Sequence, residues 1–164
     1  MLTWQDVIED KSLQDLPYKI ELSALGKVEM SPASNMHGGL QAAVAEIFVR
    51  HLSGGLAITE CSVQTRDGVR VPDVAWCSDT FLARHGFATP FVQAPEICVE
   101  VFSASNSTAE MTWKTALYFQ SGADEVWLVD LDGAIRFFGP EGVRTMSRFA
   151  LVPTAIDLPY SKRK

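Results

Sequence analysis

The fold of this chain is decided by residues 97–102, the stretch ICVEVF, in which five apolar side chains surround a single acid, Glu100. A run of this length and composition predicts a β-strand that is buried on both faces. An isolated carboxylate in such a strand costs several kcal/mol unless a cation neutralises it. The strand therefore predicts a cationic partner for Glu100, which is either a metal ion or a basic side chain.

A second acid stands in a similar stretch upstream. Residues 71–76, VPDVAW, hold Asp73 among apolar neighbours and also predict a strand. Downstream, Lys114, Tyr118 and Gly122 recur at the four-residue spacing of one helix face. Two carboxylates and a lysine, delivered from two strands and a helix, are the minimum equipment for metal-assisted hydrolysis of a phosphodiester.

Length and composition favour one globular domain. With 164 residues and 47% hydrophobic side chains, the chain can bury one core, so we expect a single domain over residues 1–164. The first residues show no basic head followed by an apolar segment, and nowhere do about 18 apolar residues run together. We therefore expect a protein that is neither exported nor membrane-bound. The basic end, residues 160–164, is expected to be disordered.

Cysteine usage and charge narrow the class of protein further. The three cysteines have no metal-type spacing and lie in apolar stretches, which predicts reduced core residues and a cytoplasmic protein. The formal net charge of −6 argues against a generally basic surface for nucleic acid. A local basic patch could still meet a polyanion.

The pattern predicts an α/β or α+β fold in which helices flank one mixed central sheet. The elements expected in the first half are a helix over 4–9, hairpin strands over 20–22 and 27–30, a helix over 36–52 and a strand over 56–65, antiparallel to the Asp73 strand. The Glu100 strand is followed by a helix over 109–121 and strands over 126–129 and 135–138. Because a helix connects the Glu100 strand to residues 126–129, these two strands should be parallel.

Residue chemistry leaves two explanations for the acids open. Mg²⁺ and Mn²⁺ prefer oxygen ligands, commonly one or two carboxylates with waters and a substrate phosphate. Asp73 and Glu100 could hold such a cation if their strands are adjacent, with the backbone carbonyl of Val101 as a further ligand. The alternative is a buried structural ion pair between Glu100 and a lysine.

Four pieces in this order resemble the Uma-type family of restriction endonucleases, within the PD-(D/E)XK nuclease superfamily. They are RVPDV at residues 70–74, PEICVEVFS at 95–103, the Lys114, Tyr118 and Gly122 pattern, and EVWLVD at 125–130. The resemblance extends over residues 17–130 and includes His37. It implies a restriction-endonuclease-like fold and activity on DNA.

Carried over to this sequence, the resemblance implies that Asp73 and Glu100 are Mg²⁺ ligands. The superfamily's usual lysine follows two positions after the second acid, where this chain has Phe102. The resemblance instead points to Lys114, on the following helix, as the catalytic lysine. Two departures stand out: Ala104 replaces a frequent proline, and Glu110 lies one helical turn before Lys114, where it could pair with that lysine.

Three further residues are auxiliary candidates. His37 could act as a general base, although a histidine near a helix start is more often a capping or inert residue. Glu46 could face the site as an additional acid, against the ordinary alternative of a solvated helix position. Tyr118 could contact a phosphate, or could pack between helix and sheet with its hydroxyl at the rim.

These observations lead to one main hypothesis and two alternatives. The main hypothesis is a Mg²⁺- or Mn²⁺-dependent DNA endonuclease, and homodimerisation is expected because such an enzyme addresses two strands. The acidic balance and Phe102 support an alternative, a catalytically silent nuclease fold that serves as a binding or assembly module. A glycosidase with paired carboxylates is weaker, because nothing supplies an aromatic sugar platform and Lys114 would have no role.

Overall fold

The computed structural model describes residues 1–103 and 106–158, so both Ala104 and the expected basic end lie outside the described residues. The helices are α1 (Trp4–Glu9), α2 (Asn35–His51), α3 (Asp79–His85) and α4 (Thr108–Gln120), with a 3-10 turn at Lys11–Leu13. The strands are β1 (Tyr18–Ser23), β2 (Val28–Pro32), β3 (Gly55–Thr59), β4 (Val63–Thr65), β5 (Gly68–Arg70), β6 (Val74–Ser78), β7 (Ile97–Val101), β8 (Glu125–Val129), β9 (Ile135–Gly139) and β10 (Gly142–Arg144).

Six of these strands form a central sheet in the order β10-β9-β8-β7-β6-β3. β7 and β8 are parallel, with Glu100 opposite Leu128, and the other neighbouring pairs are antiparallel. The chain passes through α4 between the two parallel strands, because parallel neighbours require a connection that returns to the same end of the sheet. The predicted crossover and the predicted mixed sheet are both confirmed.

The two long helices cover opposite faces of the central sheet. The core against α2 includes Leu40, Val44, Phe48, Trp76, Val99 and Trp127. The core against α4 includes Cys77, Cys98, Met111, Tyr118 and Val126. Because side chains alternate along a strand, Glu100 points to the same side of β7 as Cys98, which is the side of α4.

A second, four-stranded sheet corrects the predicted single strand over residues 56–65. The chain instead forms β3 in the central sheet and β4 in the smaller sheet, whose order is β2-β1-β5-β4. Glu60 has a positive φ of 53° between them, and this turn carries the chain from one sheet to the other. The predicted antiparallel pairing with the Asp73 strand holds for β3, which pairs with β6.

One glycine allows the smaller sheet to close. Gly68 has a φ of +91° and pairs with Ser23 of β1, and a Cβ at this position would lie 2.0 Å from the carbonyl oxygen of Leu22. Only a residue without a side chain permits so close an approach. This contact joins the N-terminal hairpin, β1 and β2, to β5 and brings it to the end of the central sheet where Asp73 lies.

The cysteines are free and buried, as predicted. Burial raises the pKa of the Cys77 thiol to about 12, and it also raises the pKa values of Cys61 and Cys98. These thiols are therefore inert core groups. None of the helices within the described residues is long and apolar enough to cross a membrane.

Candidate active site

Asp73 lies immediately before β6, and its backbone ties it to the neighbouring strand β7. The Asp73 N–H donates to the carbonyl of Val99 at 2.9 Å, and the Val101 N–H donates to Asp73 Oδ2 at 2.7 Å. The carboxylate is fully buried and also contacts two side chains, Lys19 Nζ at 2.7 Å and His37 Nε2 at 3.2 Å. Asp73 is therefore fixed in place by the ladder of the sheet.

Glu100 brings the second carboxylate to the same point. Tyr118 donates its hydroxyl hydrogen to Glu100 Oε1 at 2.5 Å, and Lys114 Nζ lies 3.4 Å from that oxygen. The other oxygen, Oε2, lies 3.0 Å from Lys19 Nζ. The Lys19 ammonium therefore bridges Asp73 and Glu100, and the two acids predicted from the sequence do converge.

The two acids respond differently to their surroundings. Burial opposes the charged form of Asp73, but Lys19 and His37 outweigh that effect and lower its pKa to about 2. Burial raises the pKa of Glu100, and the charge of Asp73 raises it further, against the opposing influence of Lys114 and Lys19. Two neighbouring carboxylates with pKa values displaced in opposite directions are typical of sites that bind cations or move protons.

Lys19 is the main residue that the sequence analysis missed. It belongs to β1, in which Lys19 and Glu21 alternate with Ile20 and Leu22, the usual pattern of a strand with one solvated face. The structure turns that charged face toward the central sheet, so that the Lys19 side chain is only 11% exposed. The only available signal was this pair of alternating charges, Lys19 and Glu21.

Lys114 contacts Glu100, as the ion-pair alternative expected, and also Glu21, which the sequence analysis did not foresee. Its ammonium lies 3.0 Å from Glu21 Oε1 and 3.4 Å from Glu100 Oε1. The surface pair with Glu110 that helical spacing suggested does not form, because Glu110 accepts a hydrogen bond from Asn106 instead. The Glu21 carboxylate also accepts the N–H of Val71 at 2.9 Å.

Charges in this cluster do not balance. Three carboxylates, those of Asp73, Glu100 and Glu21, share the two ammonium groups of Lys19 and Lys114. Arg70 lies 3.5 Å from Glu21 but makes shorter contacts with Glu29 and Asp67 outside the cluster, at 2.5 Å and 2.6 Å. When His37 is neutral, the cluster has one carboxylate more than it has ammonium groups, and such an excess of buried negative charge favours the binding of a further cation.

His37 is held between the first long helix and the acid pair. The backbone N–H of His37 donates to the Ser34 hydroxyl at the start of α2, and the ring nitrogen Nε2 faces Asp73. The hydrogen bond with Asp73 raises the pKa of His37. Its Nδ1 is buried and has no partner within the described residues. The structure therefore places an imidazole with a raised pKa in direct contact with Asp73.

The environment of Tyr118 differs from the predicted one, whereas Glu46 lies at the solvated helix position that the sequence analysis gave as the ordinary alternative. The Tyr118 hydroxyl is not at the rim, because the side chain is fully buried and bonded to Glu100, which also keeps it from direct contact with a phosphate. Glu46 does not join the site. Its side chain is 58% exposed and pairs with Arg50 one helical turn along α2.

A cleft of about 430 Å³ opens onto the cluster. Lys19, His37, Glu100, Val101 and Lys114 line its floor, and α1 and the hairpin form an apolar wall that includes Trp4, Ile8, Tyr18 and Pro32. Glu60 lines the same cleft. Burial and the nearby charge of Asp73 raise the pKa of Glu60, which makes it a further acidic group beside the site.

The donor set fits a hard divalent cation. No closed cluster of three or more His, Cys, Asp and Glu ligands occurs in residues 1–103 and 106–158. Mg²⁺ does not require one, because it commonly binds through one or two carboxylates and keeps several waters. The Lys19 ammonium already occupies a cation position between Asp73 and Glu100. One oxygen of each carboxylate faces that position, which is the kind of ligand that a hard divalent cation prefers.

The chain matches one protein family in sequence and one solved structure in fold. Residues 10–146 match the Uma2 family, described as "Putative restriction endonuclease". No curated protein matches the sequence. A crystal structure at 1.96 Å, described as a "putative nuclease belonging to DUF820" from Anabaena variabilis, superimposes with a TM-score of 0.66 at 17% identity, over 97% of this chain and 90% of that one. The structural match confirms the predicted nuclease-like fold, and the sequence match covers most of the chain, so this protein belongs to the Uma2 family.

Proposed function

We propose that this protein is a Mg²⁺- or Mn²⁺-dependent endonuclease that hydrolyses phosphodiester bonds in DNA. The observation that carries the proposal is the convergence of Asp73 and Glu100 on one cation position, now filled by the Lys19 ammonium, at the floor of a cleft. Burial of two adjacent acids costs free energy in an ordinary core. In a phosphodiesterase such acids hold the metal ion that assists hydrolysis. Membership of a family of restriction endonucleases supports the same activity.

In this proposal Asp73, Glu100 and the carbonyl of Val101 hold the cation. The bound ion supplies Lewis acidity and a water of lowered pKa. The hydrogen bonds from the Val101 N–H and the Tyr118 hydroxyl fix one oxygen of each acid, which leaves the opposite oxygens directed at the cation position. The chain thus orients both ligands before any ion binds.

Two further side chains, Lys114 and His37, would stabilise negative charge and accept a proton, respectively. Lys114, whose side chain is 5% exposed, lies between Glu21 and Glu100 and would stabilise negative charge that develops beside Glu100. His37 would donate its Nε2–H to the ionised Asp73, which leaves Nδ1 as the nitrogen that could take up a proton. The net charge of the chain is negative, so we propose that the DNA backbone binds only at the cleft, through Lys19 and Lys114.

The wider setting follows the same proposal. We propose that the chain acts as one domain in the cytoplasm and as a homodimer, so that two sites address the two strands of a duplex. Analytical ultracentrifugation with and without duplex DNA tests the dimer. A monomer in both conditions would contradict it.

Cleavage of supercoiled plasmid and linear DNA in Mg²⁺ or Mn²⁺ tests the activity. The isosteric changes Asp73→Asn and Glu100→Gln should each lower the cleavage rate about 100-fold or more, because each removes a charge aimed at the cation position. Lys114→Met should also lower it. Chelation of the metal should abolish cleavage.

Glu125→Gln is the matched control. Glu125 is a second fully buried glutamate of the central sheet, but its partners are Trp127, Arg144 and the Arg148 N–H, away from the cleft. This variant should cleave at the wild-type rate while it remains folded. Equal cleavage by the wild type and the Asp73→Asn variant would overturn the proposal.

A specific observation also supports a catalytically silent binding or assembly module. Lys19 already bridges the acid pair, Lys114 also contacts Glu100, and the superfamily lysine is replaced by Phe102. A silent protein needs nothing more than this ion pair. Calorimetric titration with Mn²⁺ separates the two functions: binding that Asp73→Asn abolishes supports the nuclease, and no binding by the wild type supports the silent module.

A further inference from the structure

The Lys19 ammonium occupies the point at which the charges of Asp73 and Glu100 meet. Its distances of 2.7 Å to Asp73 Oδ1 and 3.0 Å to Glu100 Oε2 are those of charge-assisted hydrogen bonds to both acids at once. The two oxygens concerned are the ones not already fixed by the Val101 N–H and the Tyr118 hydroxyl. A divalent ion shared by these acids would need the same two oxygens.

The two lysines of the cluster are held in different ways. Lys114 contacts only one member of the acid pair, is anchored by Glu21 and extends from α4 with a side chain 5% exposed. Lys19 contacts both members, extends from the hairpin, and is 11% exposed at the floor of the cleft. A lysine side chain has a flexible four-carbon stem, so its ammonium can move into adjacent open volume without movement of the backbone. Lys19 has such volume beside it.

We propose that Lys19 is an internal competitor for the metal position: its ammonium holds Asp73 and Glu100 together until a divalent cation displaces it into the cleft. This inference rests on the proposed function for the presence of a metal. It assigns to Lys19 a positioning role that is distinct from that of Lys114. The affinity for metal is then set by the exchange of one cation for another rather than by the two acids alone.

The test is the affinity of the purified protein for Mn²⁺, measured by isothermal titration at a pH near 8, without DNA. Removal of the competing charge by Lys19→Met should lower the Kd for Mn²⁺ by about tenfold, since one unit charge next to the ligands is lost. A merely structural lysine predicts no tighter binding in the variant. Unchanged or weaker binding therefore overturns the inference.

Two further variants separate charge from shape. Lys27→Met removes the same charge from an exposed position on the same hairpin and should leave the Kd unchanged. Lys19→Arg keeps a cation at the site and should retain weak, wild-type-like binding. Tighter binding by both Lys19→Met and Lys19→Arg would mean that altered packing, not competition, controls the affinity, and would overturn the inference.

Stability provides a second measurement in case Lys19→Met folds poorly. Without the ammonium the two acids repel each other, so Mn²⁺ should raise the melting temperature of this variant more than that of the wild type. An equal or smaller rise would overturn the inference. If the Lys19→Met variant is unfolded, addition of Mn²⁺ should restore the circular dichroism spectrum of the folded protein. Failure to restore it would overturn the inference.

Failure of the inference can be told apart from failure of the proposed function. If both proteins bind Mn²⁺ equally and cleave DNA, Lys19 is not a competitor but the nuclease proposal stands. If Lys19→Met binds Mn²⁺ more tightly and neither protein cleaves, the competition is supported and the nuclease proposal fails. If neither protein binds Mn²⁺, both proposals fall.

Discussion

Glu100 and Glu125 are both fully buried glutamates of adjacent parallel strands, yet their surroundings differ in kind. Glu125 accepts hydrogen bonds from the indole N–H of Trp127, the guanidinium of Arg144 and the Arg148 N–H, and the second acid that pairs with Arg144, Glu141, is exposed. Glu100 shares Lys19 with a second acid, Asp73. A single buried acid surrounded by donors is typical of a structural element, whereas two buried acids bridged by one ammonium at a cleft are what the proposed cation site requires.

The position in the sheet strengthens this contrast. Glu125 opens β8 opposite Ile97, on the face that carries Trp127 and α2. Glu100 lies near the end of β7, on the face of α4, where the cleft reaches the sheet. Burial alone therefore does not distinguish a structural acid from a candidate catalytic one. The number of buried acids that share one cation and the access to a cleft do.

The largest effect on stability is expected from Glu125→Gln. The change leaves the guanidinium of Arg144 and the Arg148 N–H facing an amide instead of a carboxylate, and should lower the free energy of unfolding by about 3 kcal/mol. Urea denaturation at neutral pH measures it. If the free energy of unfolding falls by less than about 0.5 kcal/mol, as for an ordinary surface substitution, Glu125 is not a structural acid and the distinction between the two glutamates fails.

The acid limb of the stability curve should depend on Asp73. Its pKa is about 2 in the folded protein and about 3.9 when unfolded, so its contribution is complete above the unfolded value and is lost as the pH falls through the folded one. Between about pH 4 and pH 2, the wild type should lose about 2 kcal/mol more than the Asp73→Asn variant. Urea denaturation at successive pH values tests this, and parallel curves would contradict it.

A smaller effect of opposite sign is expected from Glu100→Gln. Because the folded protein raises the pKa of Glu100, its ionised form opposes folding above that pKa, and the neutral amide should be more stable by about 1 kcal/mol at a pH near 8. The amide oxygen can still accept from Tyr118. Thermal unfolding measures the change. A loss as large as that of Glu125→Gln would make Glu100 a structural acid as well.

The smallest effect should come from Glu46→Gln. This carboxylate pairs only with the exposed Arg50, so the free energy of unfolding should change by less than about 0.5 kcal/mol. DNA cleavage should stay at the wild-type rate. A clear loss of cleavage would contradict this prediction and would mean that Glu46 contributes to the site despite its exposed position on α2.

The sequence was most informative where charge interrupts an apolar pattern. Glu100 and Asp73 stand out because burial makes an isolated acid costly, and the parallel pair β7 and β8 follows from the helix between them. The main element boundaries also follow from caps and periodicity. The Ser34 hydroxyl caps α2, and the predicted helix over 36–52 lies within one residue of the observed bounds.

What the sequence could not supply depends on contacts between distant segments. Lys19 and Glu21 alternate with apolar residues as on any half-exposed strand, so nothing local reveals that their charged face meets the central sheet. The break at Glu60 was missed for a related reason. The apolar pattern continues from β3 into β4, and only the presence of a second sheet requires the chain to turn there.

The bridge formed by Lys19 has a consequence for engineering of this chain. Lys19 is 54 positions from Asp73 and 81 positions from Glu100 in the sequence. During synthesis from the N-terminus, the hairpin is therefore available before either acid emerges. A circular permutation or a split-protein version that delays or detaches the hairpin would leave two like charges to assemble without their counterion. Cut points should therefore keep the hairpin on the same fragment as both acids.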